Sequence, residues 1–223
     1  MTGETYPQRV VEDTTRTKGA RAERRRDATA DTRSSILAAA RYRLLAEGYA
    51  NLSTRGVAEA AGVPLSQIHY HFGSKRQLIL AVLDAENERL LERQREMFDT
   101  PQPLWVRWER ACDFLDVDVE SGYVRILQEM IAAGWSDAEV AGAVRGMIGG
   151  WYGLLGEVAR REVEHGADFG EFTPGEVAAL MGTPFLGAEE LILLGVTETT
   201  LPMRSALRKV GKLLRQVETG ATP

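Results

Sequence analysis

Apolar positions in the first hundred residues recur at helical spacing. At 100° per residue, Ile36, Leu37, Ala40 and Leu44 fall within one quarter of a helix circumference. The three alanines at 38–40 favour helix, and Gly48 is a natural stop. A short second helix is predicted after Ser53, a good N-cap, with Val57, Ala58 and Ala61 on its buried face. Gly62-Val63-Pro64 then forms a three-residue turn. A third helix carries Ser66 to Phe72, with Ile68 and Phe72 at i and i+4 facing inward, and Gly73-Ser74 break it. A long fourth helix is predicted from near Ser74 to about Phe98, with Leu78, Val82, Leu83, Leu90 and Leu91 as its apolar positions.

Pro101 and Pro103 mark the next boundary. Beyond them the pattern predicts helices at about 103–118, 122–133, 136–165, 174–195 and 202–217, separated by Gly, Pro and Ser signals. Pro184 falls inside the penultimate helix and is expected to kink it. No stretch shows the sustained alternation of a strand, so the expected fold class is all-α. Residues 1–30 are polar and read as a flexible basic tail. Its Arg16, Lys18, Arg21, Arg24, Arg25 and Arg26 can lie along a phosphate backbone or serve only solubility.

Charge changes this picture. The net charge of the 223 residues is −5, which argues at first against a nucleic-acid partner. Divided by position it is −2 over residues 1–15, +7 over 16–82 and −10 over 83–223. A basic N-terminal third on an acidic body fits a chain of which one part meets a polyanion. The lone Cys112 excludes an intramolecular disulfide and reads as a small core residue. No apolar run approaches a membrane span, and the first residues carry no secretory signal, so the expected location is cytoplasmic and no membrane partner is expected.

Two short helices joined by a tight Gly-containing turn suggest a helix-turn-helix, in which the first helix braces against the DNA backbone and the second enters the major groove. Away from Ile68 and Phe72, the second helix offers Ser66, Gln67, His69, Tyr70 and His71, all able to hydrogen-bond bases or phosphates. His69 and His71 point about 200° apart on a helix and cannot chelate one metal, so no metal site is expected. No nucleophile–base set, phosphate loop or metal-ligand spacing is present, so no enzyme activity and no cofactor are expected.

Residues Ile36 to Val82 resemble the DNA-binding domain of the tetracycline-repressor (TetR) family of transcriptional regulators. The telling part runs from Ala61 to Leu78, AGVPLSQIHYHFGSKRQL. The resemblance implies a three-helix helix-turn-helix domain at 31–77 and a larger effector-binding and dimerisation domain at 78–223. It implies phosphate contacts from Thr54 and Arg55, base reading by Leu65, Ser66 and Gln67, backbone contacts from Tyr70 and His71, and a phosphate-binding Lys75. Gln67 is the foremost candidate for direct readout, because an amide pairs with adenine N6 and N7. Two positions depart from the family pattern. His69 stands where Tyr is usual and reaches less far, and Pro64 stands where Ser or Thr often caps the recognition helix.

In the body, Trp105, Trp108, Phe114, Tyr123, Met130, Trp135, Met147, Trp151 and Tyr152 lie at helical spacings that suit a core or a pocket for a small apolar or aromatic effector. Trp105, Trp108, Tyr123, Met130, Met147 and Trp151 are the candidate lining residues. The LILL run at 191–194 covers nearly a whole helix circumference, more than one packing face needs. The resemblance implies a four-helix homodimer interface there, with Leu191, Leu194, Leu207, Val210 and Leu214 as candidates. Such a two-fold dimer places two reading heads about 34–36 Å apart on a palindromic double-stranded operator. The expectation is a ligand-released repressor. A helical small-molecule-binding protein or enzyme with an incidental helix-turn-helix stands against it, as does an architectural DNA binder, which a body of charge −10 does not suit.

Overall fold

The computed structural model describes the backbone of residues 9–219 and the side chains of residue 26 and of 28–218. Nine helices and no strand occur among the described residues: α1 (Arg9–Asn51), α2 (Thr54–Ala60), α3 (Leu65–Phe72), α4 (Lys75–Phe98), α5 (Leu104–Ser121), α6 (Tyr123–Gly134), α7 (Ala138–Glu164), α8 (Pro174–Leu193) and α9 (Met203–Thr219).

The first helix starts earlier than the apolar pattern places it. The backbone is helical from Arg9 rather than from near Asp31. Residues 9–30 hold six Arg, four Ala and no proline, so local propensity does not stop the helix. They also hold no apolar stripe, which is why periodicity places the start at the first packed turn. Residues 1–8, and the side chains of Arg16, Lys18, Arg21, Arg24 and Arg25, lie outside the described residues. At the other end Gly48 breaks the helix, with φ 76° and ψ 166°.

α1 to α4 fold around Ile36, Ala40, Leu44, Val57, Ile68 and Leu78, all buried. Each such aliphatic side chain taken from water contributes roughly 1.5–3 kcal/mol. The turn between α2 and α3 needs Gly62, whose φ of 67° is open to glycine at little cost. This cluster does not stop at the head. It runs on through Leu83 of α4 into Val124, Ile126 and Met130 of α6 and Val140 of α7.

Polar links reinforce that continuity. Arg41 donates to the Ser121 carbonyl at 2.7 Å, Arg125 to the Leu45 carbonyl at 3.0 Å, and the Tyr49 amide to Glu129 at 2.5 Å. At the corner between α5 and α6, Gly122 has φ 80°, and a Cβ built there would run into Leu45 Cδ2.

The body packs α7 against α6 and α8, and α5 against α9. Its second cluster gathers Phe98, Trp108, Cys112, Leu115, Phe185 and Leu207. Trp108 Nε1 donates to the Leu207 carbonyl at 2.7 Å. Arg107 donates to Glu162 at 2.5 Å and to the Phe98 carbonyl at 2.8 Å, tying α5 to α7 and to the end of α4 inside the protein. α8 stays helical through Pro184.

Two expected interface residues are corrected here. Leu207 and Leu214 are buried within the protomer. The inward row of α9 is consumed by α5, so these leucines have no surface left for a partner. Val210 and Leu191 are half-buried, and Leu194 is 73% exposed. The outward stripe is instead Leu180, Pro184 and Leu191 on α8 and Leu194 at its C-cap, beside Met203, Ala206, Val210, Leu213 and Val217 on α9.

Candidate nucleic-acid interface and effector hollow

The head holds α3 by a few local devices. Ser53 Oγ accepts from the Gly56 amide at 3.1 Å and starts α2. Gly56 lies against the Arg43 guanidinium so closely that a Cβ would sit 2.7 Å from its carbon. α3 opens after Pro64 with no side-chain cap; the Gln67 amide donates to the Pro64 carbonyl at 2.9 Å, and the Leu65 and Ser66 N–H groups keep their capacity for an anion. Ile68 and Phe72, both buried, pin one face of α3 inward. The other face presents Ser66, His69 and Tyr70 to solvent, with Leu65, Gln67 and His71 half-buried at its margin.

Every predicted DNA-contact residue lies on α2, α3 or the first turn of α4, and none is fully buried. Arg55 is exposed and Thr54 half-buried at the start of α2. His69 Nδ1 lies 3.2 Å from the Gly73 carbonyl, which holds its ring along the helix end. Lys75 is occupied in part. Its Nζ donates to the Ala50 carbonyl at 3.2 Å and stands 5.1 Å from the Tyr49 ring centre. An ammonium has three donors, so two remain for phosphate. Ser74 caps α4, accepting from the Gln77 amide at 3.2 Å. Arg76 faces the body, paired with Asp137 and Glu139.

The body contains a hollow between α4, α5, α6, α7 and α8 that encloses about 720 Å³ of atom-free space, its open mouth included. Trp108, Tyr123, Met147 and Trp151 line it. The other two expected lining residues do not. Met130 is fully buried in the cluster shared with the head, and Trp105 packs toward α9, with the Arg215 guanidinium 5.4 Å from its ring. Phe114 and Phe185 complete the aromatic wall, Trp108 meeting Phe185 edge-on at 5.2 Å.

Four polar residues also line the hollow: Asn87, Gln94, Asp118 and Glu189. Tyr123 donates to Asn87 at 3.2 Å, and Trp151 Nε1 donates to Gln94 at 2.8 Å. Arg93 Nη2 donates to both Asp118 oxygens at 2.7 Å. Burial nonetheless holds the Asp118 carboxyl above its ordinary range, against the pull of Arg93. Glu189 Oε2 is sealed from solvent with no hydrogen-bond partner. Burial first, and the Asp118 charge second, push the Glu189 carboxyl up to about 8. Burial also raises the Tyr123 phenol and pushes the Cys112 thiol up to about 11, which leaves Cys112 an inert core sulfur.

Residues 36–82, the span that forms the head and opens α4, match the family model described as bacterial regulatory proteins, tetR family. The match to that family model is confined to this segment. The chain is 34% identical over 83 residues to the HTH-type transcriptional regulator TtgR of Pseudomonas putida, a span covering 36% of this chain and 40% of that relative. The tetR-family resemblance in sequence therefore spans less than half of that relative's length. The fold carries the likeness further. A TetR transcription regulator from Haloarcula marismortui ATCC 43049 superposes with a TM-score of 0.69 at 22% identity, covering 83% of this chain and 96% of that one. The transcriptional regulator FadR from Bacillus subtilis, in complex with stearoyl-CoA, superposes at 0.67 and 13% identity, covering 81% and 96%.

The polar half of this hollow escaped sequence reasoning. Ala178, Gly182, Phe185 and Glu189 share one face of α8 by their spacing, and Leu83, Asn87, Leu90 and Gln94 one face of α4. Those rows are readable as inward faces interrupted by polar groups, and that interruption is the available signal.

Proposed function

We propose that the chain is a sequence-specific DNA-binding transcriptional regulator: a cytosolic, non-enzymatic repressor that binds a palindromic operator as a homodimer and is released by a small molecule. The observation that carries this reading is the pinning of α3. Ile68 and Phe72 fix one face inward while Ser66, His69 and Tyr70 stand out, within a stretch of residues 16–82 that carries a net charge of +7 together with the helical segment before the head. Thr54, Arg55 and Lys75 flank that face for phosphate, and Gln67 at its margin reads adenine.

The apolar stripe of α8 and α9 supports the dimer. Leu180, Leu194 and Leu213 are more than half exposed, and a second copy related by a two-fold axis buries them as an isologous four-helix contact. The hollow supports an effector. Tyr123, in its wall, opens α6, and α6 is bonded to α1 through Arg125 and Glu129. An occupant that shifts α6 thus changes the relation between paired heads and the groove spacing they match.

The test is a gel-shift titration with DNA flanking the gene, repeated across salt concentrations. A selective, salt-sensitive shift by the dimer is expected. Failure to discriminate any sequence from bulk DNA at low salt overturns the proposal.

A further inference from the structure

We propose that the hollow takes a hydrophobic organic cation, an amine or quaternary ammonium with an apolar body, and seats its charged centre against Glu189. The inference rests on the reading of the hollow as the effector site and adds the chemical class.

The polar groups of the lining decide the class. Asn87, Gln94 and Asp118 each have a partner already, in Tyr123, Trp151 and Arg93. Glu189 alone presents a buried oxygen with none. An acidic group left unpartnered in an apolar wall is costly when ionised, and a cation relieves that cost directly. A neutral apolar occupant leaves it unrelieved, and an anion adds repulsion. The rest of the wall agrees. Trp108, Trp151, Phe114 and Phe185 all line the hollow, and aromatic rings attract cations electrostatically. No Lys or Arg lines the space to compete, because Arg93 lies outside the lining, against Asp118 and 4.2 Å from the Phe114 ring centre.

The arrangement also predicts a proton. The groups that bear on Glu189 are Asp118 from α5, Arg93 behind it from α4, Tyr123 from α6, and Glu86 of α4, which bears on Tyr123; the lining residues from α7 add no titratable group. In the empty hollow Glu189 titrates at about 8 and holds a proton at neutral pH. A permanent cation binds the carboxylate form, so the O–H bond breaks and the proton passes to solvent. Affinity for such a cation therefore rises with pH until the empty site is itself ionised.

Calorimetric titration of the full chain with benzyltrimethylammonium and with its uncharged carbon isostere, neopentylbenzene, tests this, with tryptophan fluorescence as a second readout. The cation is expected to bind at least about tenfold more tightly at pH 8 than at pH 6.5, as one coupled proton requires. Titrations in two buffers of different ionisation heat should count close to one proton released at pH 7. Glu189→Gln should abolish both the pH dependence and the proton while still binding neopentylbenzene, which also shows that the variant is folded. Equal, pH-independent binding of both probes overturns the cation assignment and leaves the effector hollow standing. Binding of neither probe at any pH overturns both.

Discussion

Arg76 Nη1 lies 2.6 Å from Asp137 Oδ2, so the first turn of α4, next to α3, is clasped to the start of α7. Asp137 has a second task. Its Oδ1 accepts from the amides of Glu139 and Val140 at 3.0 and 3.2 Å and caps α7. Asp137→Ala should therefore lower the urea midpoint more than Arg76→Ala, because it removes a cap as well as an exposed ion pair. The hydrogen bond from Arg76, first among the causes, holds the Asp137 carboxyl below its ordinary range. That contribution is present above the ordinary carboxylate value and is lost as pH falls through the lower native one. Arg76→Ala should flatten this acid limb of the stability curve.

Reading and holding the DNA should separate by mutation. Gln67→Ala is expected to lose about 1–3 kcal/mol of discrimination at one base position of the operator. Lys75→Ala should weaken all sequences alike and lower the slope of log affinity against log salt by about 1. Competition gel shifts at several salt concentrations measure both. Equal loss of selectivity in the two variants would refute this division of roles.

The corner at Gly122 is intolerant of a side chain. Gly122→Ala drives a Cβ into Leu45 Cδ2 on a backbone of φ 80°, so it should destabilise by roughly 1–3 kcal/mol from overpacking, with a further cost for the left-handed backbone. Adding Leu45→Ala should recover the steric part alone. Chemical denaturation of the single and double variants distinguishes the two costs.

Two leucines near the chain end should behave in opposite ways. Leu194→Asp alters an exposed position and is expected to give a folded monomer in sedimentation. Leu207→Ala empties a buried position and should cost about 2–5 kcal/mol of stability while leaving the oligomeric state unchanged.

Glu189 should leave a mark on stability even without a ligand. Its native value of about 8 exceeds the ordinary glutamate value, so its stabilising protonation is complete at acid pH and is lost as pH rises toward and through 8. Between those values the unfolded chain has released the proton and the native one has not. Wild-type stability should fall with rising pH across that window, by at most the slope of one proton, relative to Glu189→Gln. Parallel stability curves for the two proteins would contradict the burial of this carboxyl.

The helices were legible because their apolar rows face a core at helical period and their ends carry local signals. Ser53 and Ser74 accept from Gly56 and Gln77 where the cap residues imply it. The reading face of α3 was legible for the same reason, since fixing Ile68 and Phe72 inward fixes what points out. The partners of the body helices were not legible. Leu207 and Leu194 look alike in sequence, and only the packing of α5 on α9 buries one and leaves the other bare. Glu189 follows the same rule: a glutamate before an apolar run reads as surface until the fold places it in one hollow with Phe114, Tyr123 and Trp151.

The burial of Cys112 has a practical consequence. It is the sole cysteine, packed in the core with its thiol pushed up to about 11. Maleimide chemistry at neutral pH should therefore pass over the folded wild-type chain. A cysteine introduced at an exposed position such as Tyr70 becomes the single reactive sulfur. A fluorophore or spin label on it can report the distance between the heads of the proposed dimer, with no need to replace a native thiol.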